Sequence, residues 1–554
     1  MPPVTCGGPP SLTLGTAVPA TNPGANNLVN VPFVNGVWDF CLSTTDVGKF
    51  AVNLRDDTRG HASGVDISSD SDTLTVRPFG LAIVDVRKGA TPNPAGTATA
   101  GLGFVPAGDT AQAAARYQAT VAAYAWQAAD DVGNDGIPDI GANITDNAPT
   151  ARFNWPTALS AANTAPFFTP ATGVTGVLTG TISLTAGSYS LGQATANDLA
   201  YSEVGSIQMR ATVASYLNTP GVDLVGVNVD AAGLPTRIGR FYPDHFTLLG
   251  GSSVADACPG GAFTYMSQPQ LGVSFIVEAR NTADARTNNY GAGYAVGAVT
   301  MVAENNDDGV DRSARLSVPG STWVAGAYDV NTVAASFSRA AAPDGPYDLL
   351  QLGVQVSDPD LALLAGRDMN PATTGACGGA CTAKALSGFT RMRFGRLRMF
   401  NVSGTSRLGL PLRVQAQYYT PTGFVINGDD DCTVINGSDL AMAFVASTNL
   451  AACETAVSPG AAVAFSGGQA TGLQLAAPGV GNDGSVDLRL NLGTAAGTTC
   501  AAVGPGTAPA TSSSLGYLRG NWGGAAAWDQ DPVARATFGV YRNAAEFLYL
   551  QENY

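Results

Sequence analysis

The sequence predicts an all-β protein of tandem Ig-like or β-sandwich modules, with disulfides and long Asp/Gly-rich loops. Three observations lead to this prediction. Only 6 of the 43 acidic residues are Glu, and Asp favours turns whereas Glu favours helices. Gly and Pro together supply 100 of the 554 residues, so turns are frequent. Several segments alternate apolar and polar residues with the period of two that half-buried strands show.

The alternation is clearest in the segments Leu350–Val356, Leu412–Tyr418 and Val486–Leu492. The Ala-rich stretch Ala111–Ala129 has a helix-like composition. Its residues Tyr117–Ala125 alternate with a period of two, however, and we therefore predict a strand there. We expect the segments Ala536–Tyr541 and Glu546–Leu550 to form a hairpin at the end of the chain.

The length of 554 residues is sufficient for three or four domains, at about 150 residues each. A weak similarity between Tyr117–Trp126 and Leu271–Ala279 favours repeated modules. The segment Arg240–Phe246 is expected to be a stiff connector, because Pro243 fixes its own φ angle and restricts the residue before it. The predicted divisions are an N-terminal β module over 1–85, β-sandwich modules over 86–243 and 244–402, and a C-terminal β module over 403–554.

The net charge of −15 argues against nucleic acids and anionic membranes as partners. The sequence contains no apolar run long enough to span a membrane. Its first residues, Met1–Cys6, lack the basic and apolar regions of a signal peptide. We therefore expect the signal peptide for export, and domains upstream of this chain, to be missing from it.

Eight cysteines occur, at Cys6, Cys41, Cys258, Cys377, Cys381, Cys432, Cys453 and Cys500. Only His61 and His245 could join them in a metal site, which argues against zinc. An even, sparse set in an acidic chain indicates disulfides formed in an oxidising compartment. Sequence separation favours the pairs Cys6–Cys41, Cys377–Cys381 and Cys432–Cys453, which leaves Cys258 and Cys500, although other pairings remain open.

The loop at 131–139, with the sequence DVGNDGIPD, predicts a calcium site. Calcium loops place acidic residues at alternate positions and a Gly at the sixth. Asp131, Asp135 and Asp139 fit this pattern, and NDGIPD is similar to loops of thrombospondin type-3 repeats and dockerins. Gly133 removes one ligand, however, and no bidentate Glu follows. The alternative is a solvated Asp/Gly turn.

A second acidic loop, at 305–311, places Asp307 and Asp311 as weaker calcium candidates. Two further acidic segments, Asn427–Cys432 and Asn482–Gly484, follow predicted strands. We predict hairpin turns there, because Asn-Gly and Asp-Gly readily supply positive φ angles.

The sequence predicts no catalytic residues. It contains no G-x-S-x-G motif, and a histidine-dependent triad would need His61 or His245. His245 lies in the expected connector, where a hydrogen-bonded structural role is the simpler interpretation. No pair of Asp residues stands out as a glycosidase pair. A secreted hydrolase remains the opposing hypothesis, and it predicts turnover that His245→Ala or an Asp substitution abolishes.

Two tryptophans, Trp522 and Trp528, flank a Gly/Ala-rich stretch and are expected to be the most exposed. An exposed tryptophan can stack on a sugar or bind a protein partner. We predict a partner surface there, with anchoring of a sandwich core as the alternative.

A set of segments spread over nearly the whole chain carries a family resemblance: Cys41–Asp56, Leu74–Phe79, Gly239–Phe246, Phe263–Gln268, Thr287–Tyr290, Asp344–Val356, Arg396–Tyr419 with the following GFVINGDDDCT, and Trp528–Tyr554. Together they resemble the C-terminal region of the MshQ-type proteins, which are encoded with the biogenesis genes of the mannose-sensitive haemagglutinin (type IV) pilus. The segments occur in the order of that family.

The resemblance implies a non-catalytic, exported protein at the bacterial surface or outside the cell, associated with a type IV pilus in assembly or adhesion. Its partners would be pilus or other surface proteins, or host or surface glycans. It assigns no catalytic residues, and the upstream lectin-like part of the family is absent from this chain. The alternative function is a secreted, calcium-dependent carbohydrate-binding module protein.

Overall fold

The structure is a computed structural model that describes residues 12–14, 35–37, 42–44, 46–51, 53–56, 67–70 and 72–539, except 134, 292, 494–496, 501, 505 and 525–526. Its regular elements are β-strands and three-residue 3₁₀ turns, so the predicted all-β fold of disulfide-bonded sandwich modules is confirmed. In the described residues, no helix has the length and apolar character needed to cross a membrane.

The described part of the N-terminal region consists of three two-stranded pairs. Its strands are β1 (Leu12–Leu14), β2 (Leu42–Thr44), β3 (Gly48–Phe50), β4 (Asn53–Asp56), β5 (Ile67–Asp70) and β6 (Leu74–Val76). β1 and β2 are parallel, whereas β3 pairs with β6 and β4 pairs with β5 in antiparallel fashion.

The second module is built on one large sheet. Its strands are β7 (Gly80–Lys88), β8 (Thr91–Pro92), β9 (Val105–Pro106), β10 (Tyr117–Tyr124), β11 (Thr157–Ala162), β12 (Leu178–Thr179), β13 (Ser183–Leu184), β14 (Gln193–Tyr201), β15 (Gly205–Val213), β16 (Leu224–Asn228) and β17 (Ile238–Tyr242). Its 3₁₀ turns are Ala128–Asp130, Ile144–Asp146, Ala186–Ser188 and Tyr216–Asn218.

The main strand order of this sheet is β12-β14-β10-β7-β16-β15-β11-β13. The predicted strand in the Ala-rich stretch is confirmed as β10, which is buried along most of its length because small Ala side chains allow close packing on both faces. β7 lies between β10 and β16, so the expected boundary at residue 85 cuts a central strand. The hydrogen bonds of β7 place it in the second module.

The third module is a sandwich of two sheets. Its strands are β18 (His245–Leu248), β19 (Ser253–Ala255), β20 (Thr264–Tyr265), β21 (Leu271–Arg280), β22 (Ala298–Asn305), β23 (Leu316–Ser317), β24 (Trp323–Val324), β25 (Ala327–Phe337), β26 (Tyr347–Ser357), β27 (Leu363–Leu364) and β28 (Lys384–Arg393), with 3₁₀ turns at Ser313–Arg315 and Gly378–Ala380. One sheet has the main order β23-β25-β21-β18-β27, and the other has the order β20-β28-β26-β22.

The core of the third module lies between these sheets. Phe275 and Val277 of β21 pack in one hydrophobic cluster with Leu350 and Leu352 of β26. The alternation predicted over Leu350–Val356 is therefore confirmed within β26. The chain passes from the second module to the third between β17 and β18.

The fourth module combines several smaller sheets around one core. Its strands are β29 (Gly395–Met399), β30 (Val402–Gly404), β31 (Leu410–Pro411), β32 (Val414–Thr420), β33 (Gly423–Ile426), β34 (Val434–Asn436), β35 (Leu440–Phe444), β36 (Val457–Ser458), β37 (Ala462–Ser466), β38 (Gln469–Ala470), β39 (Gln474–Leu475), β40 (Gly484–Leu490), β41 (Thr498–Thr499), β42 (Ala508–Pro509) and β43 (Val533–Phe538), with 3₁₀ turns at Gly437–Asp439 and Gly516–Leu518.

The two strands predicted in this region are confirmed as β32 and β40, with small shifts at their ends. β29 pairs with β32, so the fourth module includes residues ahead of the expected boundary at 402. Of the predicted terminal hairpin, the start of the first strand falls in β43, and Glu546–Leu550 lies outside the described residues.

In the described residues, three disulfides link Cys258 to Cys432, Cys377 to Cys381, and Cys453 to Cys500. The Cys377–Cys381 pair matches the expectation, whereas the expected Cys432–Cys453 pair is wrong. Sequence separation failed because the fold brings Cys258 to Cys432 across 174 positions, with 5.7 Å between their Cα atoms. Cys6 and Cys41 lie outside the described residues.

Candidate functional sites at the module junctions

A buried ion pair joins the second module to the third. Arg240 in β17 donates from Nε to Asp360 Oδ2 at 2.9 Å, and the two side chains are only 3% and 7% exposed. Tyr294 stacks against the guanidinium, with 4.6 Å between Arg240 Cζ and the ring centroid. Its hydroxyl lies 3.0 Å from the backbone oxygen of Phe241. These contacts hold the end of β17 against the third module.

A buried carboxylate forms a second contact at the same junction. Glu203, between β14 and β15, accepts hydrogen bonds from the backbone N–H groups of Val204 at 2.9 Å, Asn288 at 2.8 Å and Asn289 at 3.1 Å. Burial raises the pKa of Glu203, and these hydrogen bonds oppose that rise. A Cβ atom on Gly173 would lie 2.5 Å from Asn289 Oδ1, so the two modules approach too closely there for a side chain.

A polar network joins the third module to the fourth. Arg393 at the end of β28 donates to Asn427 Oδ1 and, from Nη2 at 2.6 Å, to Asp429 Oδ2. Tyr265 of β20 donates to Asp430 Oδ2 at 2.8 Å and accepts from Asn427 Nδ2 at 2.7 Å. Burial and the nearby Asp430 raise the pKa of Tyr265. The predicted hairpin turn at Asn427–Cys432 is wrong, because the segment links β33 to β34, which pair with β32 and β37 and not with each other. It supplies the third–fourth junction instead. The hairpin turn predicted at Asn482–Gly484 is also wrong, since β39 and β40 lie in different sheets.

The third–fourth junction is also covalent and apolar. The Cys258–Cys432 disulfide crosses it, and Cys258, Phe263 and Tyr265 pack in the hydrophobic core of the fourth module. Oxygen of Asp430 and both sulfurs lie within 4.8 Å of one another. Because the sulfurs are bonded to each other, this cluster is a cross-link and lacks the thiolates that a metal would need.

The two tryptophans predicted to be exposed are half-buried at the third–fourth junction. Trp528 stacks on Phe424, with 5.2 Å between ring centroids, and meets Phe394 edge-on at 5.6 Å. The guanidinium of Arg396 lies 3.7 Å from the Phe424 ring and 4.8 Å from the Trp522 ring. The predicted exposure of Trp522 and Trp528 is therefore wrong, because they pack against aromatic and arginine side chains from distant segments.

The first predicted calcium loop is held by its own carboxylates. Asp131 accepts hydrogen bonds from the backbone of Asp135 at 2.9 Å and Gly136 at 2.9 Å, and from Trp126 Nε1 at 2.8 Å. Asp139 accepts at 2.8 Å from the loop backbone. Among the described residues, Asp131, Asp135 and Asp139 do not bring three ligand oxygens within 4.8 Å of one another. Calcium binding there stays a prediction that requires these oxygens to move.

The second acidic loop is also internally bonded. Asp308 pairs with Arg312, and Asp311 Oδ1 accepts at 2.8 Å from the backbone N–H two residues on. Glu304 is buried beside this loop, and burial followed by the charge of Asp307 raises its pKa. The loop geometry is that of a hydrogen-bonded turn, and calcium binding by Asp307 and Asp311 stays a prediction.

Of the two histidines, His61 lies outside the described residues. His245 lies between two carboxylates, with Nδ1 2.9 Å from Asp244 Oδ2 and Nε2 3.2 Å from Asp284 Oδ1. Both ring nitrogens are thus engaged at the start of β18.

The charged and polar residues that build both junctions were missed as functional candidates in the sequence, apart from the cysteines. Their signal was present, because the segments GRFYPDHF, FTYMSQ, TNNY and GFVINGDDDCT contain most of them. Glu203 could also have been noticed, since it is one of only 6 glutamates and stands in the otherwise uncharged stretch 199–209. Local sequence could not show which segments meet.

Two family models match this chain. Residues 203–384 match DUF6701, third domain, and residues 393–553 match DUF6701, fourth domain. Together the matches cover more than half of the sequence. No curated protein matches the chain.

Several solved structures align with the chain. FdeC, an adhesin of Escherichia coli, aligns at 10% identity over 82% of this chain and 96% of its own, with a TM-score of 0.31. Invasin, a bacterial integrin-binding protein, aligns at 11% identity over 75% of this chain and 57% of its own, with a TM-score of 0.21. An I-band fragment of titin aligns at 7% identity over 70% of this chain and 87% of its own, with a TM-score of 0.18.

Proposed function

Starting from a chain that matches the third and fourth domains of DUF6701, we propose a non-catalytic, exported surface protein that acts as a stiff spacer. The observation that carries the proposal is the construction of the two junctions. Each combines buried polar pairs with shared apolar packing: Ala98, Ala107 and Val204 of the second module belong to the core cluster of the third, and Phe263 and Tyr265 of the third belong to that of the fourth. The second junction is also cross-linked by a disulfide. Interfaces of this kind suppress the relative motion that is usual between domains.

The disulfides support an extracellular location for this spacer. Disulfides persist in oxidising compartments and are rare in the cytosol. The Cys258–Cys432 and Cys453–Cys500 bonds lie in the core of the fourth module. A chain that depends on such bonds for its packing is suited to the cell surface or the medium.

The association with a type IV pilus, in assembly or adhesion, is the finer part of the proposal. It is supported by the resemblance to MshQ-type proteins, whose matching segments supply both junctions. A spacer that keeps a fixed shape would hold a pilus or other surface component at a set distance and orientation. Its partners would be pilus or other surface proteins.

The test is immunogold labelling of intact cells with an antibody against this chain, followed by electron microscopy of the pili. A strain lacking the gene controls for antibody specificity. Label on the filaments, at their tips or at their bases is the expected result. Label confined to the periplasm or the medium would rule out the pilus association. The stiffness of the exported spacer would then be tested separately, by measuring the shape of the protein in solution.

A carbohydrate-binding function is the second candidate, and one observation favours it. Trp126 is 50% exposed, and the hydrogen bond from its Nε1 to Asp131 fixes the orientation of the indole. A fixed, exposed indole can stack on a sugar ring. A glycan array with and without chelator, repeated with Trp126→Ala, tests it: binding lost in the variant supports this function, and a blank array with wild-type protein removes it.

A further inference from the structure

One of the disulfides differs from the other two in its surroundings. Cys453 and Cys500 are each at most 1% exposed, and Cys258 is fully buried although its partner Cys432 is partly exposed. Neither of these two disulfides therefore presents both of its cysteines to solvent. Cys377 and Cys381 are both partly exposed, and the residues between them are Gly378, Gly379 and Ala380. A Cβ atom built on either glycine would meet no atom within 4 Å, so no neighbouring group covers this loop.

The same bond closes a very short loop. Cys377 and Cys381 are 4 positions apart, against 174 for Cys258–Cys432 and 47 for Cys453–Cys500. A bond across a short loop removes less entropy from the unfolded chain than one across a long loop, so its loss should change stability less than loss of either other bond. Hydrogen bonds between Met369 and Ala383, and from Asn370 to Ala380, would still hold the segment after the bond opens.

A cleft of about 590 Å³ lies beside this disulfide, and Cys381 is one of its lining residues. The other lining residues include Gly378 and Gly379 of the disulfide loop, and Asp244, His245 and Arg367. Arg367 brings a positive charge to this lining and Asp244 a negative one. A cation in the cleft attracts an incoming thiolate. The partly exposed Cys377–Cys381 bond therefore lies next to a cleft that an incoming thiol could enter.

We propose that Cys377–Cys381 is a thiol–disulfide exchange site, and that the cleft receives the incoming thiol. The incoming thiolate attacks Cys381 Sγ and forms a mixed disulfide, while the Cys377–Cys381 bond breaks and Cys377 leaves as a thiolate that takes up a proton. A second external thiolate then attacks the mixed disulfide. It releases Cys381 as a thiol and carries away an external disulfide. Two external thiols are thereby oxidised as one protein disulfide is reduced.

The shared chemistry of the reactant is a thiol, which either a small molecule or a protein cysteine can supply. The experiment incubates the whole oxidised chain with a graded series of reduced glutathione or, in a parallel arm, reduced thioredoxin. Free thiols are then alkylated and each cysteine-bearing peptide is quantified by mass spectrometry, with those of Cys6 and Cys41 counted separately. Circular dichroism reports whether the fold persists.

Alkylation of Cys377 and Cys381 is expected at a thiol concentration at least about tenfold below that needed for the other two described disulfides, with the fold intact. Reaction with glutathione alone, or with thioredoxin alone, identifies the source and supports the site in either case. Simultaneous reduction of all three bonds, later reduction of this one, or reduction only after unfolding would overturn the proposal.

The part played by Arg367 is tested through the rate of exchange. Arg367→Gln should lower the second-order rate constant for reduction of this bond several-fold, because the cleft that receives the incoming thiolate loses a positive charge. Arg210→Gln, at an exposed position in the second module, is the matched control and should leave the rate unchanged. An unchanged rate in Arg367→Gln would show that the cleft does not assist the exchange.

Discussion

Arg240 and Asp360 meet across the second and third modules, with 2.9 Å between Nε and Oδ2 in surroundings that exclude almost all solvent. The guanidinium also stacks on Tyr294, so the cation has two kinds of partner. Replacing one residue of a buried ion pair leaves the other charge buried without a partner, and this lowers the free energy of unfolding.

We therefore expect Asp360→Asn to reduce the free energy of unfolding by about 3–5 kcal/mol, because Arg240 stays buried without its counter-charge. Calorimetric unfolding of the whole chain measures this. The control is Asp487→Asn in the exposed pair with Arg535, whose side chains are 47% and 56% exposed. That variant should lose at most about 1 kcal/mol. Equal losses in both variants would contradict the assigned role of the buried pair.

Removal of the cross-link between the third and fourth modules should also destabilise the chain. The double variant Cys258→Ala, Cys432→Ala is expected to lose about 3–5 kcal/mol, since its bond closes the longer loop. The double variant Cys377→Ser, Cys381→Ser is the control and should lose about 2 kcal/mol or less, because that loop is short. Denaturant unfolding without reductant compares them, and the reverse ranking would refute this explanation.

Trp528 packs among aromatic and arginine side chains at the third–fourth junction, whereas Trp126 lies half-exposed in the second module. The two tryptophans should therefore contribute differently to stability. Trp528→Ala should cost about 2–4 kcal/mol, because it leaves a gap between Phe394 and Phe424. Trp126→Ala, at a half-exposed position, should cost about 1 kcal/mol or less. Melting temperatures of the two variants test this, and similar losses would show that Trp528 packs less tightly than described.

Calcium binding to the loop at 131–139 is tested by the melting temperature with calcium and with chelator. If the predicted site binds, calcium raises the melting temperature and Asp139→Asn removes that rise. Asp311→Asn should leave the rise unchanged if the first loop is the site. An identical wild-type melting temperature in calcium and in chelator would reject Asp131, Asp135 and Asp139 as ligands.

The buried Glu203 predicts a specific pH dependence. Because burial raises its pKa, the folded chain holds this proton at pH values where the unfolded chain has released it. The resulting stability is fully present below the ordinary carboxyl pKa and is lost as the pH rises through the raised value. Wild type should therefore gain stability relative to Glu203→Gln as the pH falls through this range, which melting curves at several pH values would measure.

A carboxylate with the opposite shift provides the control for this experiment. Hydrogen bonding from Thr181 lowers the pKa of Asp198. Its contribution is present above the ordinary pKa and is lost as the pH falls through the lowered value. Wild type should thus lose stability relative to Asp198→Asn on acidification. The same trend in both comparisons would contradict the assignment to Glu203.

The fold class followed from local patterns, whereas the junctions did not. The strand over Tyr347–Ser357 could be predicted because alternation of Leu and Val with polar residues is written in consecutive positions. The partner of Cys432 could not, since Cys258 is 174 positions away and reaches it only after two modules have packed. Trp528 was misjudged for the same reason: its Gly-rich neighbours suggested exposure, while Phe394 and Phe424 cover it from far along the chain.

The Cys258–Cys432 bond sets the load path through the molecule when its ends are pulled apart. Tension entering from the second module reaches Cys258, crosses the bond and continues from Cys432 into the fourth module. The backbone between these cysteines is bypassed by this covalent path and is loaded only through non-covalent contacts. The bond spans 174 positions, so at about 3.5 Å per residue it withholds roughly 600 Å of contour length from extension. A filament-bound protein built this way would stay short under pulling for as long as the bond is oxidised.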